Sequence, residues 1–228
     1  MPVSPRTSGA SHRHSAKISA EPANAISVAT IVAPVGRIRA KKFATNGTNA
    51  PITPAAANTF TDTNNAYVLK AYAAGITTGT SATTFSPNAN CNRAQAVTFL
   101  WRAAGSPKPE TRTMPFTDVP VGSYYYDAVL WAVENGITKG TSDTTFSPNM
   151  TCSRAQIVAF LWRSEKSPAA GTANPFADVK STAYYADAVL WAVKENITKG
   201  TTSTTFSPNA GCTRAQIVTF LYRAYQGK

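Results

Sequence analysis

Residues 137–156 read ITKGTSDTTFSPNMTCSRAQ. Nearly the same string stands at 76–95 (ITTGTSATTFSPNANCNRAQ) and again at 197–216 (ITKGTTSTTFSPNAGCTRAQ). Its arginines, Arg93, Arg154 and Arg214, are 61 and then 60 residues apart, so the chain holds three copies of one unit. Upstream, Phe116-Thr-Asp-Val and Phe176-Ala-Asp-Val each precede a tyrosine-rich segment and then Asp-Ala-Val-Leu-Trp-Ala-Val.

Each unit reads as helix, structured loop, helix. In the second unit the first helix is expected from about Tyr125 to Asn135, with Gly136 as its C-terminal stop. Val129, Leu130, Ala132 and Val133 make it apolar on more than one face, so neighbours must cover it on several sides. The loop turns at Gly140 and Ser147-Pro148-Asn149, with Phe146 as an inward anchor. The second helix opens on a capping box, Ser153 with Gln156 and Thr213 with Gln216. In that box the hydroxyl accepts the third amide and the Gln side chain reaches back. Asn92 with Gln95 is a looser version. Ile157, Phe160 and Leu161, with Val97, Phe99, Leu100 and Ile217, Phe220, Leu221, then supply a broad apolar face.

A unit of two short helices cannot bury its own faces, whereas three units share a core. The connections 105–115 (GSPKPETRTMP) and 166–175 (KSPAAGTANP) are polar, Pro-rich linkers. The expected architecture is all-α: three helix-loop-helix repeats, 60–105, 116–165 and 176–228, in a pseudo-three-fold bundle. An open solenoid is the alternative.

The chain has 228 residues, 43% apolar and 14% charged, with a formal net charge of +11. The low charged fraction argues against a coiled coil or an acidic disordered chain. No apolar run is long enough for a membrane-spanning helix. Composition divides near residue 59. Of 23 aromatic residues only Phe43 precedes it, and the first 59 residues hold seven basic side chains against Glu21 alone. Residues 1–59 are therefore expected to form a basic, flexible N-terminal arm, short of apolar surface to offset the entropy of ordering. Within it Ala25–Val35 is mildly apolar but starts late, contains Pro34 and leads into basic residues, so it does not read as an export signal. Its cluster Arg37, Arg39, Lys41 and Lys42 lacks interleaved aromatics and reads as a solvated charge run, with no nucleic-acid partner.

The order Phe-x-Asp-Val, Tyr-Tyr, Ala-Val-x-Trp-Ala, Gly-Ile-x-x-Gly, Phe-x-Pro and Arg-Ala-Gln resembles the S-layer homology (SLH) domain of bacterial cell-surface proteins. The resemblance runs from Phe60 to about Tyr225, in the family's usual set of three. It implies a secreted, non-covalent anchor to the Gram-positive cell wall, whose inter-repeat grooves bind an anionic secondary cell-wall polysaccharide, often pyruvylated. It implies no cofactor, no metal, no membrane span and a monomer. The ligand arginine of the family motif corresponds to Arg93, Arg154 and Arg214. The motif aspartate corresponds to Asp62, Asp118 and Asp178, and the loop glycine to Gly79, Gly140 and Gly200. The sequence departs from the family where Gln replaces the motif's Glu and Cys its leading Ile in every unit. The first unit is also shortened: Phe60 to Gly75 spans 15 positions where Phe116 to Gly136 spans 20, and Lys70 stands in place of Trp131 and Trp191.

These residue types suit an acidic sugar. Guanidinium binds a carboxylate through two parallel charge-assisted hydrogen bonds. At a first helical turn it also sits beside exposed amides and the positive end of the helix dipole. Aspartate accepts from sugar hydroxyls, a loop glycine admits close approach, and Trp131, Trp191, Tyr125 and Tyr185 offer faces for stacking. Each has a plainer alternative: surface ion pairs for the arginines, turn or cap roles for the aspartates, core packing for the aromatics. Cys91, Cys152 and Cys212 share one position per unit; no nearby His suggests a metal site, and because the resemblance places them where the family carries an apolar residue they read as small buried hydrophobes.

An enzymatic reading is set aside because the acids repeat with the units, as binding groups would, and glycosidases need two placed carboxylates. The chain is equally readable as the anchoring remnant of a larger surface protein or wall hydrolase. A display protein with the basic arm as payload is a further alternative.

Overall fold

The computed structural model of the chain describes residues 59–225, which lie within one compact unit. The expectations placed on the N-terminal arm fall outside the described residues. Six helices follow one another: α1 Ala66–Ala73, α2 Arg93–Ala103, α3 Tyr126–Glu134, α4 Arg154–Ser164, α5 Ala186–Lys194 and α6 Arg214–Tyr225. Among the described residues no strand forms, and the fold is all-α.

Local chemistry sets the helix ends. α3 stops where Gly136 takes a left-handed φ of 66° and its N–H reaches the Val133 carbonyl at 2.9 Å. Gly75 does the same in the first unit, and Asn196 in the third at φ 56°; asparagine is the side chain that best tolerates this geometry. The capping boxes open the second helix of each unit. Gln156 N–H donates to Ser153 Oγ and Ser153 N–H to Gln156 Oε1, at 3.2 and 3.0 Å. Thr213 and Gln216 repeat the pair at 3.3 and 3.1 Å. Asn92 is not looser: its Oδ1 accepts from Gln95 N–H at 2.8 Å and the reciprocal bond is present. The amide carbonyl reaches the same donor that a hydroxyl would.

The first helix of a unit packs on the second helix of the unit before it: α3 on α2, and α5 on α4. α1 packs on α6, and α2, α4 and α6 touch one another. Backbone hydrogen bonds run through the same circuit. Cys91 N–H donates to the Cys212 carbonyl, Cys152 to Cys91 and Cys212 to Cys152, at 2.9, 2.8 and 2.9 Å. Every unit therefore bonds to both others, which the end units of an open solenoid do not. The linkers are pinned as well, because Trp101 and Trp162 donate their indole N–H to the carbonyls of Pro107 and Pro168, each at 2.8 Å.

The core corrects one expectation. Trp131 and Trp191 are 3% and 1% exposed, so their ring faces pack inside and do not meet a ligand. Helices that are apolar on several faces bury their largest side chains, each contributing roughly 1.5–3 kcal/mol. The first unit replaces this tryptophan by Lys70, whose ammonium donates to Tyr222 Oη of α6 at 2.7 Å and lies 5.0 Å from that ring's centroid.

Cys91, Cys152 and Cys212 are free, fully buried thiols at the centre of the backbone circuit. Burial pushes Cys91 and Cys152 up to about 12 and raises Cys212 as well, from an ordinary value of 9.0. The folded thiols hold their protons more tightly than unfolded ones. Their contribution to stability is complete below 9.0 and is lost as pH rises toward about 12. An aromatic disulfide reagent at pH 8 should label no thiol until denaturant is added. Immediate labelling of even one would contradict this packing.

Candidate functional site

The site is built across the seams between units. Arg93, Arg154 and Arg214 are the first residues of α2, α4 and α6, yet only 2%, 4% and 4% exposed. Each guanidinium is tied to the loop of a neighbouring unit. Arg93 Nε donates to the Phe146 carbonyl, Arg154 Nε to Phe206 and Arg214 Nε to Phe85, at 2.8, 2.8 and 2.9 Å. Each also lies between two rings. Arg93 is 4.7 Å from the Phe146 centroid and 5.5 Å from Phe160, Arg154 makes the same pair with Phe206 and Phe220, and Arg214 with Phe85 and Phe99. Burial lowers the pKa of all three from 12.5, but an arginine so placed keeps its charge. They are neither surface ion pairs nor freely solvated groups.

The aspartates position that arrangement. Asp118 accepts from the N–H groups of Phe146 and Ser147 at 2.8 and 2.7 Å, one on each carboxylate oxygen. Asp178 holds Phe206 and Ser207 at the same distances, and Asp62 holds Phe85 and Ser86 at 2.9 and 2.7 Å. The clamped serines adopt φ of 57–58°, a left-handed conformation that an L residue keeps only when its surroundings impose it. The Phe85 amide is the main reason Asp62 sits below the usual carboxylate range. Each carboxylate oxygen thus holds one loop amide, while Asp62 stays exposed and Asp178 lines a surface cavity with Lys180 and Tyr185. The three carboxylates aim the Phe carbonyl and ring at the arginine of the adjoining unit.

The loop glycines are required by space. A Cβ on Gly140 would stand 2.5 Å from Phe116 Cε1 and from the carbonyl oxygens of Ser142 and Thr145, and Gly200 is crowded identically. On Gly79 the nearest atom would be the Ser81 carbonyl oxygen at 2.3 Å. Backbone thus approaches backbone closely beside each arginine seam.

Between the first two units the seam opens as a groove of about 360 Å³. Arg93 of α2, Lys139 and Gly140 of the second unit's loop, Gln156 and Arg163 of α4, and Tyr184 of the third unit line it. Sequence reasoning missed Arg163, Lys139 and Tyr184. The paired tyrosines 124–125 and 184–185 carried the signal, but it is the first of each pair that is exposed, at 58% and 61%. Tyr125 and Tyr185 are half-buried and brace the exposed rings edge-on at 5.0 and 5.1 Å. Two buried nitrogens, Nη2 of Arg93 and of Arg154, have no hydrogen-bond partner among the described residues. Chemically the crevice brings together delocalised cations, a close-packed loop and an aromatic wall, groups of the kind that suit an anion. Among the described residues no helix is long and apolar enough to cross a membrane, and no group of side chains could hold a metal ion.

Comparison with known proteins places the three repeats in a family. The model of the S-layer homology domain matches residues 59–97, 115–158 and 175–218. The Surface-layer 125 kDa protein of Lysinibacillus sphaericus is 30% identical over 67% of this chain, and an Endoglucanase of Bacillus sp. (strain KSM-635) is 32% identical over 54%. An Amylopullulanase of Thermoanaerobacterium thermosulfurigenes is 33% identical over 44%. The matched segments make up 13%, 13% and 5% of those proteins, so the chain spans a small part of each.

Proposed function

The chain belongs to the S-layer homology family and is a cell-surface, wall-associated binding module, and from that premise we propose that it anchors non-covalently to an anionic secondary cell-wall polysaccharide through its inter-unit grooves. The observation that carries this reading is the buried arginine at each seam, restrained on one edge by a neighbouring carbonyl. At two seams, those of Arg93 and Arg154, Nη2 has no hydrogen-bond partner among the described residues. A pyruvate ketal presents a carboxylate on a sugar ring, and a pre-organised guanidinium pairs with it at little entropic cost. The named relatives include a surface-layer protein and two polysaccharide-degrading enzymes, of which this chain matches a minor share. That supports a tethering role shared among otherwise different proteins. We read the chain as non-enzymatic, since the three repeated aspartates are committed to loop amides. It acts as a monomer.

Sedimentation with purified bacterial wall tests the proposal. The full chain should pellet with wall that retains its anionic polymer and stay in solution once mild acid has stripped it. Undiminished pelleting with stripped wall would refute the glycan assignment. Deleting residues 1–59 should leave pelleting intact; its loss would move the affinity to the basic arm.

A further inference from the structure

A second cavity, of about 510 Å³, opens on the third unit. Asp178, Lys180, Tyr185, Ser207, Asn209 and Ala210 line it, with no arginine among them. Its size falls within that of small-ligand sites, roughly 300–1,000 Å³. It presents one acid and one base, whereas the groove of Arg93 is lined by three cations and no acid.

The cavity is built on fixed backbone. The carbonyls of Pro208 and Ala210 receive the N–H groups of Ala155 and Arg154 at 3.0 and 2.9 Å, which ties its floor to the start of α4. Tyr185 is half-buried and held edge-on against Tyr184. Each oxygen of Asp178 accepts one loop amide and keeps a second lone pair. Among the described residues Lys180 forms no ion pair with Asp178 or any other acid. Opposite charges therefore border one cavity without neutralising each other.

The same place in the second unit carries different side chains on the same backbone. Pro120 stands for Lys180 and Met150 for Ala210. The N–H groups of Met150 and Ala210 donate to the carbonyls of Ser147 and Ser207, each at 3.1 Å. The carbonyls of Pro120 and Lys180 receive Ser123 and Ala183 N–H at 3.2 and 3.0 Å. The repeat thus accepts either pair of residues, so backbone geometry is not what calls for Lys180 and Ala210. What they change is the surface: Lys180 adds a cation, and Ala210 omits the side chain that Met150 extends to 42% exposure.

We propose that this cavity is a second site, for a zwitterionic amino-acid head. Such a head, with ammonium and carboxylate on one carbon, is carried by the diamino-acid residue of an uncross-linked wall peptide. The ammonium meets Asp178, and the carboxylate meets Lys180 and the Asn209 amide. Tyr185 covers the aliphatic stem behind the head. A neutral sugar would leave both charges unused, and a simple anion would face the Asp178 carboxylate. The module then touches the peptide part of the wall independently of any acidic sugar.

The test is a titration of the full, nitrogen-15-labelled chain with a wall tripeptide that is blocked at its amino terminus and ends in meso-diaminopimelate. One peptide should bind per chain, shifting the signals of Tyr185 and Asn209 and leaving those of Arg93 in place. Ala210→Met should abolish binding. Lys180→Pro, and acetylation of the peptide's far amine, should each weaken it roughly tenfold, the scale of a charge-assisted hydrogen bond. Both variants should keep the thermal transition, because the second unit already carries those residues at these positions. No binding to the unmodified chain, undiminished binding to Ala210→Met, or equal binding of the acetylated peptide would overturn the proposal. Tighter binding of free diaminopimelate than of the peptide would make the ligand a soluble amino acid and overturn the wall assignment. Pelleting with acid-stripped wall is read separately, so either this site or the polymer anchor can fail alone.

Discussion

Gly140→Ala should destabilise the protein by about 3 kcal/mol, the sum of a left-handed backbone penalty and an overpacking term. The new methyl would lie 2.5 Å from three heavy atoms, two of them backbone carbonyl oxygens that cannot rotate away. Relief would require the loop to leave the ring of Phe116, and with it the Phe146 carbonyl that receives Arg93 Nε. Gly122→Ala is the matching control. It has nearly the same φ, +83° against +85°, but nothing within 4 Å of the added carbon. It should cost only about 1–2 kcal/mol for the left-handed backbone. Urea titration of both variants separates the two effects, and equal losses would mean that close approach is not what the loop glycine provides.

Much of this architecture is legible in the chain because the repeats make each signal appear three times. The caps at Ser153 and Thr213, the stop at Gly136 and the helix of Tyr126–Glu134 are local features, governed by hydrogen bonds within a few residues, and they fall where expected. Cys91, Cys152 and Cys212 are buried, as expected of side chains that stand where the family carries an apolar residue. Roles set by residues far apart in sequence were harder to read. Asp118 lies 28 and 29 positions from the amides it clamps, and Arg214 bonds a carbonyl 129 positions away. Nothing local distinguishes a carboxylate that will face a sugar from one that will hold a loop.

The aromatics failed for a related reason. Trp131 and Trp191 sit in helices apolar on several faces, and such helices draw their largest side chains inward. In the tyrosine pairs one ring must brace the other, and only the packing of α3 and α5 on their neighbours decides which is left outside. The groove at Arg93 combines residues of all three units, so its inventory appears only once the circuit has closed.

The arginine seam is where the second large effect is expected. Arg93→Lys keeps a positive charge but loses the planar fork, so the Phe146 carbonyl is left without its donor and the ligand carboxylate without a bidentate partner. The loss of sugar affinity should be about 2 kcal/mol, roughly thirtyfold, the scale of a hydrogen bond to a charged group. Lys139 and Arg163 remain in the variant, so general electrostatic attraction is preserved and only directed pairing is removed.

Nitrogen-15 spectra of the arginine side chains, recorded while the full chain is titrated with the pyruvate-ketal sugar, report on that pairing directly. The Nη signals of Arg93 should shift and gain protection from exchange in step with saturation, while its Nε signal, held by Phe146, changes little. Saturation of the protein with every Arg93 signal unmoved would contradict the assignment of this guanidinium to the ligand.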